Sequence, residues 1–299
     1  MKSTLFLQNV TQIDYSLLDP YYLIPMGGSY QLSVEVTGNV EQKEQVVVDF
    51  SKIKKSIKEI VDDRYFGFDH KFWIPLNFEN NSDISVEEED GELQITTPNF
   101  TMISPTNAVN FVDFKDRKTL EEFINDVIQV ELRVLYPQSN ITTKSFLSED
   151  FFIPRNINDF ITFRYTHGLK NSSSWGCQNI NHGHLSWMAI CDEEGQSIFL
   201  SKHLEDKIRE FLDDAIFVFN ENVCNRSPNG CQIQYDCERG AFYSLYKNCH
   251  LVYMDKETTV ENITEFFIEK FKDEIKKEVP DARIIYLSEG LAKGCRLEF

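Results

Sequence analysis

VVDFSKIKKSIKEIVDD (residues 47–63) and IFLSKHLEDKIREFLDD (residues 198–214) share their apolar spacing and close on the same Asp-Asp pair. In the first stretch Phe50, Ile53, Ile57 and Ile60 recur at helical spacing, which predicts an amphipathic helix lying over a sheet. Working outward, TLEEFINDVI from Thr119 and TVENITEFFI from Thr259 begin alike. Each is followed by the same tripeptide, Leu147-Ser148-Glu149 or Leu287-Ser288-Glu289. Upstream, Tyr30-Gln31-Leu32-Ser33 aligns with Gly183-His184-Leu185-Ser186. Four blocks in one order imply a tandem duplication with a junction near Pro154: unit one over 1–153 and unit two over 154–299. Each unit reads as two strands, a helix, an irregular connection, a second helix capped by Thr119 or Thr259, and a closing strand, an α+β pattern. The acidic run NNSDISVEEEDGELQI (80–95) reads as a solvated loop or hairpin with no chemistry of its own.

Composition narrows the function. The chain has 299 residues, 41% hydrophobic and 26% charged, with 24 Phe and only 13 Gly and 9 Pro, which excludes fibrous and disordered classes. Its net charge of −18 repels a phosphate backbone, so no nucleic-acid partner is expected. The start, MKSTLFLQNVTQIDY, has too short an apolar run for a secretory signal, and no stretch approaches 18 apolar residues. A cytoplasmic protein with no membrane partner is the expectation. Seven Cys at irregular spacing, with no C-x-x-C, indicate neither a disulfide framework nor a thiolate zinc site.

The chemistry concentrates in unit two, in Tyr165-Thr166-His167 followed by Cys177 and His182-Gly183-His184. Residues two apart on a strand face the same way, so His182 and His184 present their imidazoles together, and His167 on a preceding strand supplies a third. Three neutral imidazoles with an open fourth position make a catalytic zinc site, whereas a structural one is closed by four protein ligands. The plain alternative is three polar histidines in a turn. It is disfavoured because half of the six His fall within this short segment. A thiol beside a divalent cation ionises more readily, which makes Cys177 a candidate base. In unit one Asp69-His70 is the second signal: a carboxylate fixing an imidazole tautomer is an acid/base arrangement, though neighbours of this kind are common.

VVVDFSKIKKSIKEIVDDRYFGFDHKFWIPLN, together with the Y-T-H, C-x4-H-G-H, T-V-E-N and S-E segments of unit two, resembles the 6-pyruvoyl tetrahydropterin synthase and 6-carboxytetrahydropterin synthase family. Two departures stand out: the family has three residues between Cys and H-G-H where this chain has four, and its single unit is here doubled. The resemblance implies tandem tunnelling-fold units, each a four-stranded antiparallel sheet with two helices on one face, closing into barrels in a homo-oligomer. It implies a zinc-dependent lyase acting on a small-molecule pterin, 7,8-dihydroneopterin triphosphate, of the 6-carboxytetrahydropterin synthase type that serves 7-deazaguanine (queuosine) biosynthesis. The 6-pyruvoyl reaction, or a metal-holding module without turnover, are its alternatives. In that scheme His167, His182 and His184 hold Zn2+, Cys177, Asp69 and His70 transfer protons, and Glu289, Thr259 and Glu261 contact the pterin, with Glu149 a second candidate anchor. Arg164 and Lys170 are candidates for the triphosphate tail. The repeat alignment sets Leu17 or its neighbour, Ser29 and Gln31 against the three His, and Asn220 and Glu221 against Asp69 and His70. One composite site per chain is the consequence.

Overall fold

The computed structural model describes residues 2–40, 45–228 and 230–299. Unit one runs β1 (Lys2–Leu18), β2 (Pro25–Asn39), α1 (Phe50–Val61), β3 (Lys71–Pro75), β4 (Ser85–Glu89), β5 (Glu92–Thr96), β6 (Phe100–Pro105), β7 (Val109–Val112), α2 (Arg117–Leu135) and β8 (Thr142–Ser148). Unit two repeats the order with β9 (Ile161–His167), β10 (His182–Cys191), α3 (Lys202–Leu212), β11 (Ala215–Phe219), β12 (Val223–Ser227), β13 (Gly230–Cys237), β14 (Gly240–Tyr246), β15 (Leu251–Met254), α4 (Val260–Glu278), β16 (Ile284–Glu289) and a final β17 (Lys293–Glu298). The division at 153/154 falls in the connection between β8 and β9. Among the described residues no helix is long and apolar enough to cross a membrane.

The helices within 47–63 and 198–214, α1 and α3, begin where side-chain oxygens satisfy free N–H groups. Asp49 accepts from Ser51 and Lys52, and Ser201 from Leu204. Their buried faces are Ile53, Ile57, Val61 and Leu204, Ile208, Leu212, so Phe50, expected on the buried stripe, lies 56% exposed and Val61 takes the last turn instead. In α2 the cap is Asp116, not Thr119, because the helix starts one turn earlier and the Asp116 carboxylate accepts from Thr119. Thr259 does cap α4.

Each unit is wider than a four-stranded antiparallel sheet. Unit one has five strands in the order β7-β3-β1-β2-β8, and unit two has six in the order β15-β11-β9-β10-β16-β17. The additions β3 and β7, like β11 and β15, join in parallel. They come from the segment read as an irregular connection. β3, KFWIP, is buried along its whole length and so shows no alternation. In each unit two helices pack on one face around a separate apolar core.

A third sheet ties the units together. Its order is β12-β13-β14-β6-β5-β4, three strands from each half, joined where Ile103 of β6 pairs with Tyr243 of β14. The acidic run forms its outer hairpin, β4–β5, around Asp90-Gly91, both at positive φ; four of the five β4 residues are exposed and one end of the sheet is thereby lined with charge. The main sheets meet at two glycines. A Cβ on Gly27 would lie 2.1 Å from the Tyr165 carbonyl oxygen, and one on Gly183 would lie 2.4 Å from Gly27 Cα, so nothing larger fits the crossing.

Candidate active site

β9 and β10 pair with His182 opposite His167, and His184 follows two residues on, so all three imidazoles share one fully buried face. Each ring has an oxygen behind its Nδ1. His167 Nδ1 donates to the Thr258 carbonyl at 2.6 Å and His182 Nδ1 to the Asn179 carbonyl at 3.0 Å, while the Asp14 carboxylate lies 3.3 Å from Nδ1 of His184. A carbonyl only accepts, so in the first two rings Nδ1 carries the proton and Nε2 keeps its lone pair. Burial, together with the neighbouring imidazoles, pushes His167 down to about 3 and His182 well below the usual range, so both are neutral.

The donor set fits a divalent metal. Nε2 of His167 and Nε2 of His184 are 3.2 Å apart, close to the ~3.3 Å that separates two ligand nitrogens at tetrahedral zinc with bonds of about 2.0–2.1 Å. Nε2 of His182 is buried without a hydrogen-bond partner, and one donor atom from each ring falls within a 4.8 Å cluster. Rings oriented by carbonyls and a carboxylate on their far nitrogens are what a metal-ligating set requires.

Unit one supplies the facing groups. His70, held at φ 53 at the entry to β3, donates from Nδ1 to Asp69 at 2.6 Å, and its ring centroid lies 5.2 Å from that of His182. The other oxygen of Asp69 accepts the Asp14 N–H at 2.8 Å. Cys177 sits on a single helical turn, Gly176–Gln178, in the connection between β9 and β10. His70, Cys177 and His182 present donor atoms within 4.8 Å of one another. Burial opposes a charge on His70, but Asp69 and the Cys177 sulfur close by outweigh it and raise the imidazole well above its usual range. Burial likewise opposes a thiolate at Cys177, and the nearness of His70 outweighs it and lowers the thiol. The result is a thiol and an imidazole that bias each other towards their charged forms across the boundary between the two halves.

The pair is fixed by groups far away in sequence. Arg239, 4% exposed on the turn between β13 and β14, donates from Nη1 to the carbonyls of His70 (3.1 Å) and Gly176 (2.8 Å) and from Nη2 to Asn107 (3.1 Å). Its guanidinium lies 4.1 Å from the centroid of the Trp175 ring. Asn179 also donates to the His70 carbonyl, at 3.2 Å. A cavity of about 360 Å³ opens beside this pair, lined by Gln12, Asp14, Asp69, His70 and Lys293. Glu289, at the end of β16, bonds Lys293 at 3.1 Å. Burial would raise its carboxyl, but His184 and Lys293 hold it down at about 2. Thr259 spends its hydroxyl on the start of α4 and Glu261 is exposed in the first turn, so no contact joins either to the His cluster. The contribution from this helix start is the Thr258 carbonyl behind His167.

The structure brings His167, His182, His184, Cys177, Asp69 and His70 together, and adds Asp14, Lys293, Asn179 and Arg239. The repeat alignment has β1 in place at Leu17 but slips β2 by three residues. Strand pairing sets Asp14 against Ser29 in unit one and Arg164 against Leu185 in unit two, and the N–H groups of Asp14 and Arg164 donate to Asp69 and Asp213 respectively. The counterparts of His167, His182 and His184 are therefore Leu17, Met26 and Gly28, in place of Ser29 and Gln31. The counterparts of Asp69 and His70 are Asp213 and Asp214, in place of Asn220 and Glu221. His70 and Asp214 share φ 53. The carboxylate persists in both halves, while the imidazoles do not. Arg164 faces unit one, where it meets Glu149 at 3.4 Å.

No protein-family profile and no curated protein matches the sequence. Among solved structures, the chain is similar to a variant of 6-pyruvoyltetrahydropterin synthase from Plasmodium vivax (18% identity, 50% of this chain and 92% of that one, TM-score 0.38). It is also similar to the Plasmodium falciparum enzyme (16% identity, 48% and 99%, TM-score 0.34) and to an uncharacterised Wolinella succinogenes protein (11% identity, 49% and 93%, TM-score 0.27). In each case about half of this chain covers nearly all of the other.

Proposed function

We propose that this chain is a zinc-dependent lyase acting on 7,8-dihydroneopterin triphosphate, of the 6-carboxytetrahydropterin synthase type, with one composite site per chain. The observation that carries the reading is the convergence of three oriented imidazoles from unit two with the Cys177–His70–Asp69 relay that crosses into unit one. His167, His182 and His184 would hold the metal, which supplies Lewis-acid polarisation of substrate hydroxyls. Cys177, already biased to the thiolate, takes a proton from the substrate side chain. His70, protonated and steadied by Asp69, returns one, so acid and base are separate groups set about one pocket. Glu289, ionised beside Lys293, offers a bidentate carboxylate to the amino-pyrimidine edge of a pterin. Asp14 holds the His184 ring, and Arg239 keeps the carbonyls of His70 and Gly176 at one distance.

Incubation of the zinc-loaded protein with 7,8-dihydroneopterin triphosphate, with the pterin product weighed by mass spectrometry, tests the reading. A 6-carboxy product is expected. A 6-pyruvoyl product moves the assignment to the sister reaction, and unchanged substrate overturns it.

A further inference from the structure

His182 belongs to two sets of donors. Its ring centroid lies 4.2 Å from that of His167 and 5.3 Å from that of His184, and 5.2 Å from that of His70 in the other unit. Besides the three imidazoles, His70, Cys177 and His182 bring one donor atom each within 4.8 Å of one another. Both rings of this second set are prepared alike. Nδ1 of His70 is spent on Asp69 at 2.6 Å and Nδ1 of His182 on the Asn179 carbonyl at 3.0 Å, so Nε2 is the nitrogen each has left to offer. Both Nε2 atoms are buried, and neither has a hydrogen-bond partner among the described residues.

One residue ties the two rings together. Asn179 accepts from His182 through its carbonyl and donates from its side chain to the carbonyls of His70 (3.2 Å) and Ala108 (3.0 Å). The thiol is brought up by a close approach that glycine allows. A Cβ on Gly176 would lie 2.9 Å from Cβ and Cγ of His70, so a larger residue there would push the Cys177 turn off the imidazole. Arg239 bonds the carbonyls on both sides of that contact, those of His70 and Gly176. Rings with an oxygen behind the far nitrogen, and a thiol held against them, have the make-up of a metal-ligating set. The sulfur separates this set from the three imidazoles, because thiolate ligands favour softer cations. At tetrahedral bonds of about 2.3 Å to sulfur and 2.0–2.1 Å to nitrogen, sulfur and nitrogen stand ~3.6 Å apart, so the cluster draws together when it binds.

We propose that Cys177, His70 and His182 form a second metal site, for a thiophilic divalent cation such as cadmium, which shares His182 with the three-imidazole set and is filled only at the expense of that set. The lone pair on His182 Nε2 serves one metal at a time, and its loss leaves zinc with two imidazoles. Binding forms a metal–sulfur bond and releases the thiol proton, with any proton on His70 Nε2, to solvent. The site stands whether or not the chain catalyses the reaction given above. Where it does, a cation lodged here takes the base, the acid and one zinc ligand together.

Cadmium alone, added to the metal-free full chain, tests it through the ultraviolet thiolate-to-metal absorption band, with bound metal counted by elemental mass spectrometry after dialysis. One cadmium per chain is expected, and with it the band. Cys177→Ser should bind one cadmium on the three imidazoles without the band, and His182→Ala should lose the band. Asp69→Asn, which leaves every donor in place, should weaken the banded state about 10-fold or more. In the zinc-loaded chain the band should grow only as zinc leaves, ion for ion. No band in the unaltered chain, a band that survives in Cys177→Ser or His182→Ala, an unweakened band in Asp69→Asn, or a band that grows while zinc stays overturns the proposal. A chain that shows the exchange but leaves 7,8-dihydroneopterin triphosphate unchanged counts against the proposed function alone. One that turns the substrate over yet gives no band counts against this site alone.

Discussion

At the ends of β9 and β10 three imidazoles meet a thiol; at the ends of β1 and β2, on the same backbone registers, Leu17, Met26 and Gly28 leave a cavity rimmed by Arg164 and Lys115. Both ends also keep an aspartate accepting the same backbone N–H, Asp69 in one and Asp213 in the other. The scaffold is therefore shared, and the chemistry is decided by a few side chains and by one loop length. The long connection 168–181 brings Cys177 and Asn179 onto His70, whereas the short one, 19–24, brings nothing comparable. Because His70 and Asp69 come from the half that has no imidazole cluster, the proposed site draws on both halves.

The sharpest way to break this comparison is to count metal. The purified chain should hold about one zinc, and His182→Ala should hold close to none, because the counterparts in unit one cannot ligate. Two zinc ions per chain, or zinc retained in His182→Ala, would show that the halves are not specialised as described. Next in size, Cys177→Ala should lower turnover of 7,8-dihydroneopterin triphosphate by about 100-fold or more with zinc unchanged, the usual scale for a lost general base. Unchanged turnover removes Cys177 from the chemistry.

A smaller effect is expected at Arg239, which touches no reacting group. Arg239→Lys keeps a charge but cannot reach three carbonyls in the fork geometry, so turnover should fall about 10-fold while zinc content holds. A variant that loses zinc in proportion to activity would make Arg239 a general prop for the fold.

The duplication, the paired helices and the six residues of the cluster were legible in the sequence, because helical spacing and chemically distinctive residues survive without long-range information. Strands read less well. KFWIP at β3 is buried on both faces and offers no alternation. The alignment of Leu32-Ser33 with Leu185-Ser186 slipped β2 by three residues, making Gln31 the counterpart of His184 where the strand pairings make it Gly28. A slip by an odd number of residues exchanges the faces of a strand, so the counterparts of two imidazoles were read from the wrong face of β2. Asp14, on β1, escaped notice because its place behind His184 comes from the packing of one half on the other. Arg239 left no signal, since its role comes from a sheet built jointly by hairpins of both halves.

The central claim is that His70 of one half governs Cys177 of the other, and the ionisation of that thiol reports it without reference to any substrate. Iodoacetamide labelling of the zinc-loaded protein across pH 5–10, resolved by peptide mass spectrometry, gives the rate at Cys177 apart from the other six cysteines. With His70 present, Cys177 should react from lower pH than an ordinary thiol. In His70→Ala the cation is gone while the burial stays, so the profile should move to higher pH and the rate at pH 7 should fall about 10-fold or more. Superimposable profiles for the two proteins would contradict the account.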